Sequence, residues 1–245
     1  MSTLFISDLH LSQDREDITQ AFFKFLENQA KNAQKLYILG DFFDHWIGDD
    51  YVQHKDSEAF IHEVISKLAL LKEEGLELFF MHGNRDFLVG EAFMSHVHGT
   101  LLKDPSLIKL GNTTTLLMHG DSLCIDDIQY MQFRTLARTQ QWIDTQLAKP
   151  VTERIQIAAH LRQASAEKNK YADENILDVN ETETINVMQQ HKVEQLIHGH
   201  THRPAVHTMN VNNCQYKRYV LGDWHKQGWY LEYRDDELTL KSFDL

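Results

Sequence analysis

Six short apolar runs punctuate this chain, and each passes directly into a polar turn carrying Asp, His or Asn. They are TLFISDLH from Thr3, KLYILGDFFD from Lys35, LELFFMHGNRD from Leu76, TTTLLMHGD from Thr113, VEQLIHGHTH from Val193 and KRYVLGDW from Lys217. Runs this short, rich in β-branched and aromatic residues and closed by Gly or Asp, read as strands. Between them lie longer stretches such as DITQAFFKFLENQAKNA from Asp17 and SEAFIHEVISKLALLKEEG from Ser57, whose apolar residues recur at three and four, the period of an amphipathic helix. Strand and helix therefore alternate, which predicts an α/β fold with a largely parallel sheet covered by helices. Ligands in open α/β sheets bind beyond the carboxyl ends of the strands, where these Asp, His and Asn residues fall. The tail QGWYLEYRDDELTLKSFDL, from Gln227, alternates with period two around Asp235 and Asp236. It predicts a hairpin added to a sheet edge or to a second sheet.

With 245 residues, 42% of them hydrophobic, the chain can bury a sizeable core. It has only three Pro and no Ser/Gly linker, so one domain is expected over residues 1–245. The formal charge of −12 argues against a surface built to coat nucleic acid. Cys124 and Cys214 stand alone, which indicates neither a disulfide framework nor a thiolate zinc site. The opening residues read as the strand that carries Asp8, so no leader peptide is expected. No apolar run approaches the ~20 residues of a spanning helix. The expected location is the cytoplasm, with membrane contact only from its cytoplasmic side.

Five strand ends offer seven candidate metal ligands: Asp8, His10, Asp41, Asn84, His119, His198 and His200. Any one of them could cap a turn or sit as a satisfied loop histidine. Caps and turns alone do not gather Asp, Asn and His at successive strand ends while leaving the helices without comparable clusters. Carboxylate, carboxamide and imidazole donors without thiolate suit Mn²⁺, Fe or Zn²⁺. Seven donors are too many for one open catalytic ion, and two ions bridged by one carboxylate use them. Paired ions suit hydrolysis of a phosphoester or phosphoanhydride. Asp44, Asp86 and Asp121 read as residues that orient ligands by hydrogen bonds, and His82 and His202 as structural.

The ordered motifs DLH, GDFFD, GNRD, HGD and HGHTH resemble the calcineurin-like metallophosphoesterase superfamily over nearly the whole chain. The resemblance implies an α/β/β/α layered sandwich. It also implies one ion held by Asp8, His10, Asp41 and His200, and the other by Asp41, Asn84, His119 and His198, with Asp41 as the bridge. Catalytic roles fall to Asp41, Asn84, Arg85 and His119. The implied ions are two Mn²⁺ per chain, with Fe²⁺, Co²⁺ or Zn²⁺ left open.

Two features depart from the common pattern of that superfamily. Arg85 stands where most members carry a His able to protonate a leaving alkoxide. A departing phosphate monoester has a second pKa of ~6 and needs no such acid, so the change favours a pyrophosphate whose oxygens a guanidinium can clamp. The competing reading is a surface Arg paired with Asp86. The second departure is the long segment between His119 and His198, which predicts a helical lid over approximately residues 122–175, two helices joined near Pro150. Its apolar residues are interleaved with Arg134, Arg138, Lys149, Arg154, Arg162, Lys168 and Lys170, a mixture suited to a substrate with acyl chains and phosphate and to an anionic membrane surface.

With GDFFDHWIGDD, HGNRDFL and HGHTHRPAVH, these features resemble the branch of the superfamily that cleaves the pyrophosphate of UDP-2,3-diacylglucosamine in lipid A biosynthesis. That resemblance implies water attack on the α-phosphorus to give UMP and 2,3-diacylglucosamine 1-phosphate. It implies substrate contacts from Asn84, Arg85, Asp127, Ser165, Asn169, Lys170 and His198, a peripheral place on the inner membrane, a lipid-linked UDP-sugar as substrate, and no obligatory protein partner. The alternatives are a generic phosphoesterase acting on a soluble nucleotide or phosphodiester, and a non-catalytic scaffold of the same fold.

Overall fold

Strands buried on both faces have no polar side to alternate with, which is why those of this chain read as unbroken apolar runs. The computed structural model describes residues 2–55, 57–171 and 178–245, with the backbone alone for 164–171. Its strands are β1 (Ser2–Ile6), β2 (Ala33–Leu39), β3 (Glu77–Met81), β4 (Thr100–Leu102), β5 (Ser106–Leu110), β6 (Thr113–Leu117), β7 (Gln195–His198), β8 (Ala205–Val211), β9 (Cys214–Val220), β10 (Gln227–Arg234) and β11 (Glu237–Asp244). They form two mixed sheets, ordered β11-β10-β1-β2-β3-β4 and β5-β6-β7-β9-β8. In the first, β1 to β4 are parallel; in the second, β6, β7 and β9 are. The tail hairpin turns at Asp235 and Asp236 and lies antiparallel to β1 at the edge of the first sheet.

Alternation along the strands sorts side chains into three apolar layers. Phe5, Tyr37, Leu39, Met81, Leu117 and Ile197 meet between the sheets. Leu4, Ile6, Leu36 and Ile38 take the other face of the first sheet, beneath α1 (Glu16–Asn28) and α2 (Ala59–Glu73). These helices bury Ile18, Ala21, Phe22 and Phe25, and Ile61, Val64, Leu68 and Leu71, the stripes that the three-four spacing predicts. Full burial of a side chain of this size is worth about 1.5–3 kcal/mol, so each stripe suffices to seat its helix. A short α3 (Glu91–His96) follows β3.

Between β6 and β7 the chain forms α4 (Ile128–Ala137), α5 (Gln140–Leu147), α6 (Val151–Tyr171) and α7 (Glu181–Gln190). Met188 of α7 packs with Leu116, Met118 and Leu196 on the outer face of the second sheet, completing the four-layer order. The first of the two helices expected here is broken after Arg138. Thr139 is extended, and its hydroxyl accepts the Trp142 N–H, so it caps a new helix, α5. Trp142 then lies 5.8 Å from Phe87 and Arg138 stands 4.6 Å over the same ring, which docks the insertion on the turn after β3.

Candidate metal centre

Turns leave the carboxyl ends of β1, β2, β3, β6 and β7 and approach one another more closely than side chains permit. A Cβ on Gly199 would stand 2.3 Å from Asp8 Oδ2, and one on Gly83 2.2 Å from the Asp41 nitrogen. Asp86 ties the β2 and β3 turns together: its buried carboxylate accepts from the N–H groups of Asp41 (3.3 Å), Phe42 (2.8 Å) and Gly83 (2.8 Å). Asp8, His10, Asp41, His200 and His202 all hold φ between 49° and 69°. A left-handed conformation costs about 1 kcal/mol or more for a residue with a Cβ and persists only where its surroundings fix it.

The side chains so aimed converge. Asp8 Oδ2 accepts from the Ser7 hydroxyl and, at 2.9 Å, from the His200 N–H. Its Oδ1 is buried, 3.5 Å from His202 Nε2, and has no closer hydrogen-bond partner among the described residues. His10 and His202 face each other through Nε2 atoms 3.1 Å apart, and His10 Nδ1 is a second buried atom without a partner. Asp41 Oδ1 accepts the Arg85 N–H at 2.8 Å and lies 3.7 Å from His119 Nε2. Asn84 Oδ1 sits between His119 Nε2 (3.0 Å) and His200 Nδ1 (2.9 Å). His119 Nδ1 donates to Leu39 O at 2.8 Å, which directs Nε2 into the cluster, an arrangement common to metal-binding histidines.

Burial presses on every charge here. It pushes Asp41 up to about 7, and His10 and His200 down to about 3 and 4, so both imidazoles keep a lone pair to donate. In His119 burial opposes the charge, but the carboxylates of Asp41, Asp121 and Asp8 outweigh it and lift the group to about 9. Burial would likewise raise Asp8, yet its contact with His202 and the histidine charges around it hold it well below the usual carboxylate range. Donor atoms of Asp8, His10 and His202, and of Asp8, Asp41 and His119, lie within 4.8 Å of one another. Converging lone pairs, with a buried carboxylate oxygen and an imidazole nitrogen both unpartnered, are what divalent cations would satisfy.

Six of the seven ligands expected from the sequence come together: Asp8, His10, Asp41, Asn84, His119 and His200. His198, the seventh, is fully buried beside them, within electrostatic reach of Asp8 and His200. As the last residue of β7 it shares the outward face with Leu196, so its Nε2 meets Arg218 of β9 at 3.3 Å and its Nδ1 meets Gly199 O at 2.8 Å. His202, read as structural, stands beside Asp8 and His10. The carboxylate common to both donor groups is that of Asp8.

Arg85 pairs with Asp44, Nη1 to Oδ1 at 3.1 Å, and approaches Asp41 at 3.8 Å, not Asp86. Asp121 accepts from the Tyr130 hydroxyl and from Arg134 Nε, and His82 meets Val89 O. Asp127 caps α4, accepting the Tyr130 N–H at 3.0 Å. The side chains of Ser165, Asn169 and Lys170 lie outside the described residues. Four basic residues of the insertion face the core: Arg134 pairs with Asp121, Arg138 donates to Gly83 O, Arg154 pairs with Asp50 and Arg162 with Asp44.

Residues 1–204 match the family model for calcineurin-like phosphoesterases. A UDP-2,3-diacylglucosamine hydrolase of Chromohalobacter salexigens is 47% identical over 96% of this chain and 94% of its own length. The protein of that name from Cellvibrio japonicus is 45% identical over 100% of both chains, and that from Pseudomonas aeruginosa 46% over 95% of both.

Proposed function

This chain belongs to the calcineurin-like phosphoesterase family, and on that premise we propose that it hydrolyses the pyrophosphate bond of UDP-2,3-diacylglucosamine, as its relatives' name suggests. Near-full-length identity of about 45% to enzymes of that name carries the reading. Water adds to the α-phosphorus, the bond from that phosphorus to the bridging oxygen breaks, and UMP and 2,3-diacylglucosamine 1-phosphate leave, a step of lipid A biosynthesis.

In this reading Asp8, His10, Asp41, Asn84, His119, His198 and His200 would hold two divalent ions, with His202 beside Asp8 and His10. Such ions, Mn²⁺ by family, lower the pKa of water and polarise phosphoryl oxygens. The protein supplies orientation. Leu39 O fixes the His119 tautomer, Ser7 and the His200 N–H fix the Asp8 carboxylate, and the Arg85 N–H fixes Asp41. Arg85 presents its guanidinium to the pyrophosphate, where charge on the departing phosphate develops. A phosphate monoester leaves without a proton, so the absence of a histidine at this position is no handicap.

The helical insertion receives the acyl chains. Ile128, Phe133, Leu136, Leu147 and Leu161 are large, apolar and exposed, while the arginines between them are turned to the core. Contact with the inner membrane therefore rests on apolar area more than on a basic patch. No helix among the described residues is long and apolar enough to cross a membrane. Ser165, Asn169 and Lys170 complete the proposed substrate contacts, and Asp127 acts through the α4 terminus that it caps.

Hydrolysis in ¹⁸O-water tests the reaction. The label is expected in UMP; label in the lipid phosphate would place the attack on the other phosphorus, and no turnover with Mn²⁺ present would refute the assignment.

A further inference from the structure

Asp44 belongs to neither donor group, yet the catalytic turns and the helical insertion meet on it. Its N–H is bonded to Leu11 O at 3.0 Å, which pins the β2 turn against the turn that carries His10. Its side chain is 18% exposed, and both carboxylate oxygens are engaged: Oδ1 accepts from Arg85 Nη1 at 3.1 Å and Oδ2 from Arg162 Nη1 at 2.8 Å. His45 Nδ1 lies 3.7 Å from Oδ2. Arg162 stands on α6, whose first turn is fastened by Arg154, itself buried, to Asp50 and to Ile47 O. Two turns further on, about 12 Å along the axis, Arg162 fastens the same helix again.

We infer that Asp44 is a positioning residue that couples closure of α6 to the guanidinium of Arg85. The inference rests on the proposed role of Arg85 toward pyrophosphate. One carboxylate is shared between two guanidinium groups, so what happens to one is felt by the other. A pyrophosphate in the site draws Arg85 away from Asp44, whose charge is then less compensated and grips Arg162 more firmly. Coupling of this kind is reciprocal: a helix held on Asp44 leaves Arg85 freer to meet phosphate. Neither effect requires Asp44 to touch the substrate.

Two readouts test this, steady-state kinetics and backbone amide exchange over residues 155–163 in the protein without substrate. Arg162 is 43% exposed, so its loss leaves the fold intact. Arg162→Gln is expected to raise KM about five-fold with kcat changed less than about two-fold, and to speed exchange along α6. In an Asp44→Asn background the same substitution should change neither quantity further, and Arg162→Lys should restore part of both. Equal effects of Arg162→Gln in both backgrounds, or unaltered exchange, would overturn the coupling. Arg85→Gln with unchanged kinetics would remove the phosphate role of Arg85 and the kinetic half of the coupling, whereas exchange decides the latch on its own.

Discussion

Asp8, Asp41, Asp86, His119 and Asp121, at the strand ends, are buried almost completely, while α5 of the insertion buries no residue at all and Ile128 and Leu136 are 65% and 57% exposed. The turns are fixed by reciprocal hydrogen bonds and glycine contacts, at the expense of five left-handed residues. The insertion is fixed by a few arginines reaching down to the core, by the Phe87–Trp142 and Tyr130–His200 ring contacts, and by Val151, Ile155 and Ala158 at one end of α6. A site for ions must exist before they arrive, because donors placed loosely bind loosely. A surface for acyl chains needs apolar area and freedom to fit, and gains nothing from being buried in their absence.

That contrast can be broken at four points. Asp41→Ala, which removes a carboxylate from the centre, should lower turnover by about three orders of magnitude while the fold persists; activity assays with thermal unfolding check both halves. Asp86→Ala strips the acceptor from several buried N–H groups and should destabilise the chain by about 3 kcal/mol in urea unfolding. The same change would be mild if the turns were as loosely held as the insertion.

Asp104 lies where the two regions meet, in the loop after β4, with neither carboxylate oxygen hydrogen-bonded among the described residues and Arg134 Nη2 3.7 Å away. Burial pushes its pKa up to about 6. The folded chain thus holds this proton more tightly than the unfolded chain, and stability falls as pH rises from about 4 to 6 and stays low above that. Asp104→Asn should stabilise the protein by about 1–3 kcal/mol at pH 7.5 and hardly at all at pH 4. Thermal unfolding at the two pH values decides it. Leu136→Gln should move stability by no more than about 0.5 kcal/mol and raise KM for the diacyl substrate a few-fold; a large loss of stability would mean that the exposed face packs in solution.

Much of this was legible in the apolar runs, because a strand buried on both faces leaves little else to read, and a ligand at its end follows from topology. The second sheet is visible only in part, since β5 and β8 are half-exposed edge strands with weak patterns. His198 and His202 show the limit. HGHTH offers three histidines two residues apart, and where each ring points depends on where β7 stops. Up to His198 strand alternation rules; after it, the left-handed turns at His200 and His202 redirect both rings. The break at Thr139 was announced by a capping residue within a helical pattern, whereas the inward turn of Arg154 and Arg162 was hidden, because their carboxylate partners lie about a hundred residues away.

The central claim, that the strand ends gather a two-ion centre, is tested most directly by counting Mn²⁺ bound per chain in the wild type, His198→Gln and His202→Gln after equilibrium dialysis. The expected result is two ions in the wild type, with loss of an ion and of activity in His198→Gln; full occupancy of His198→Gln with loss from His202→Gln would contradict it.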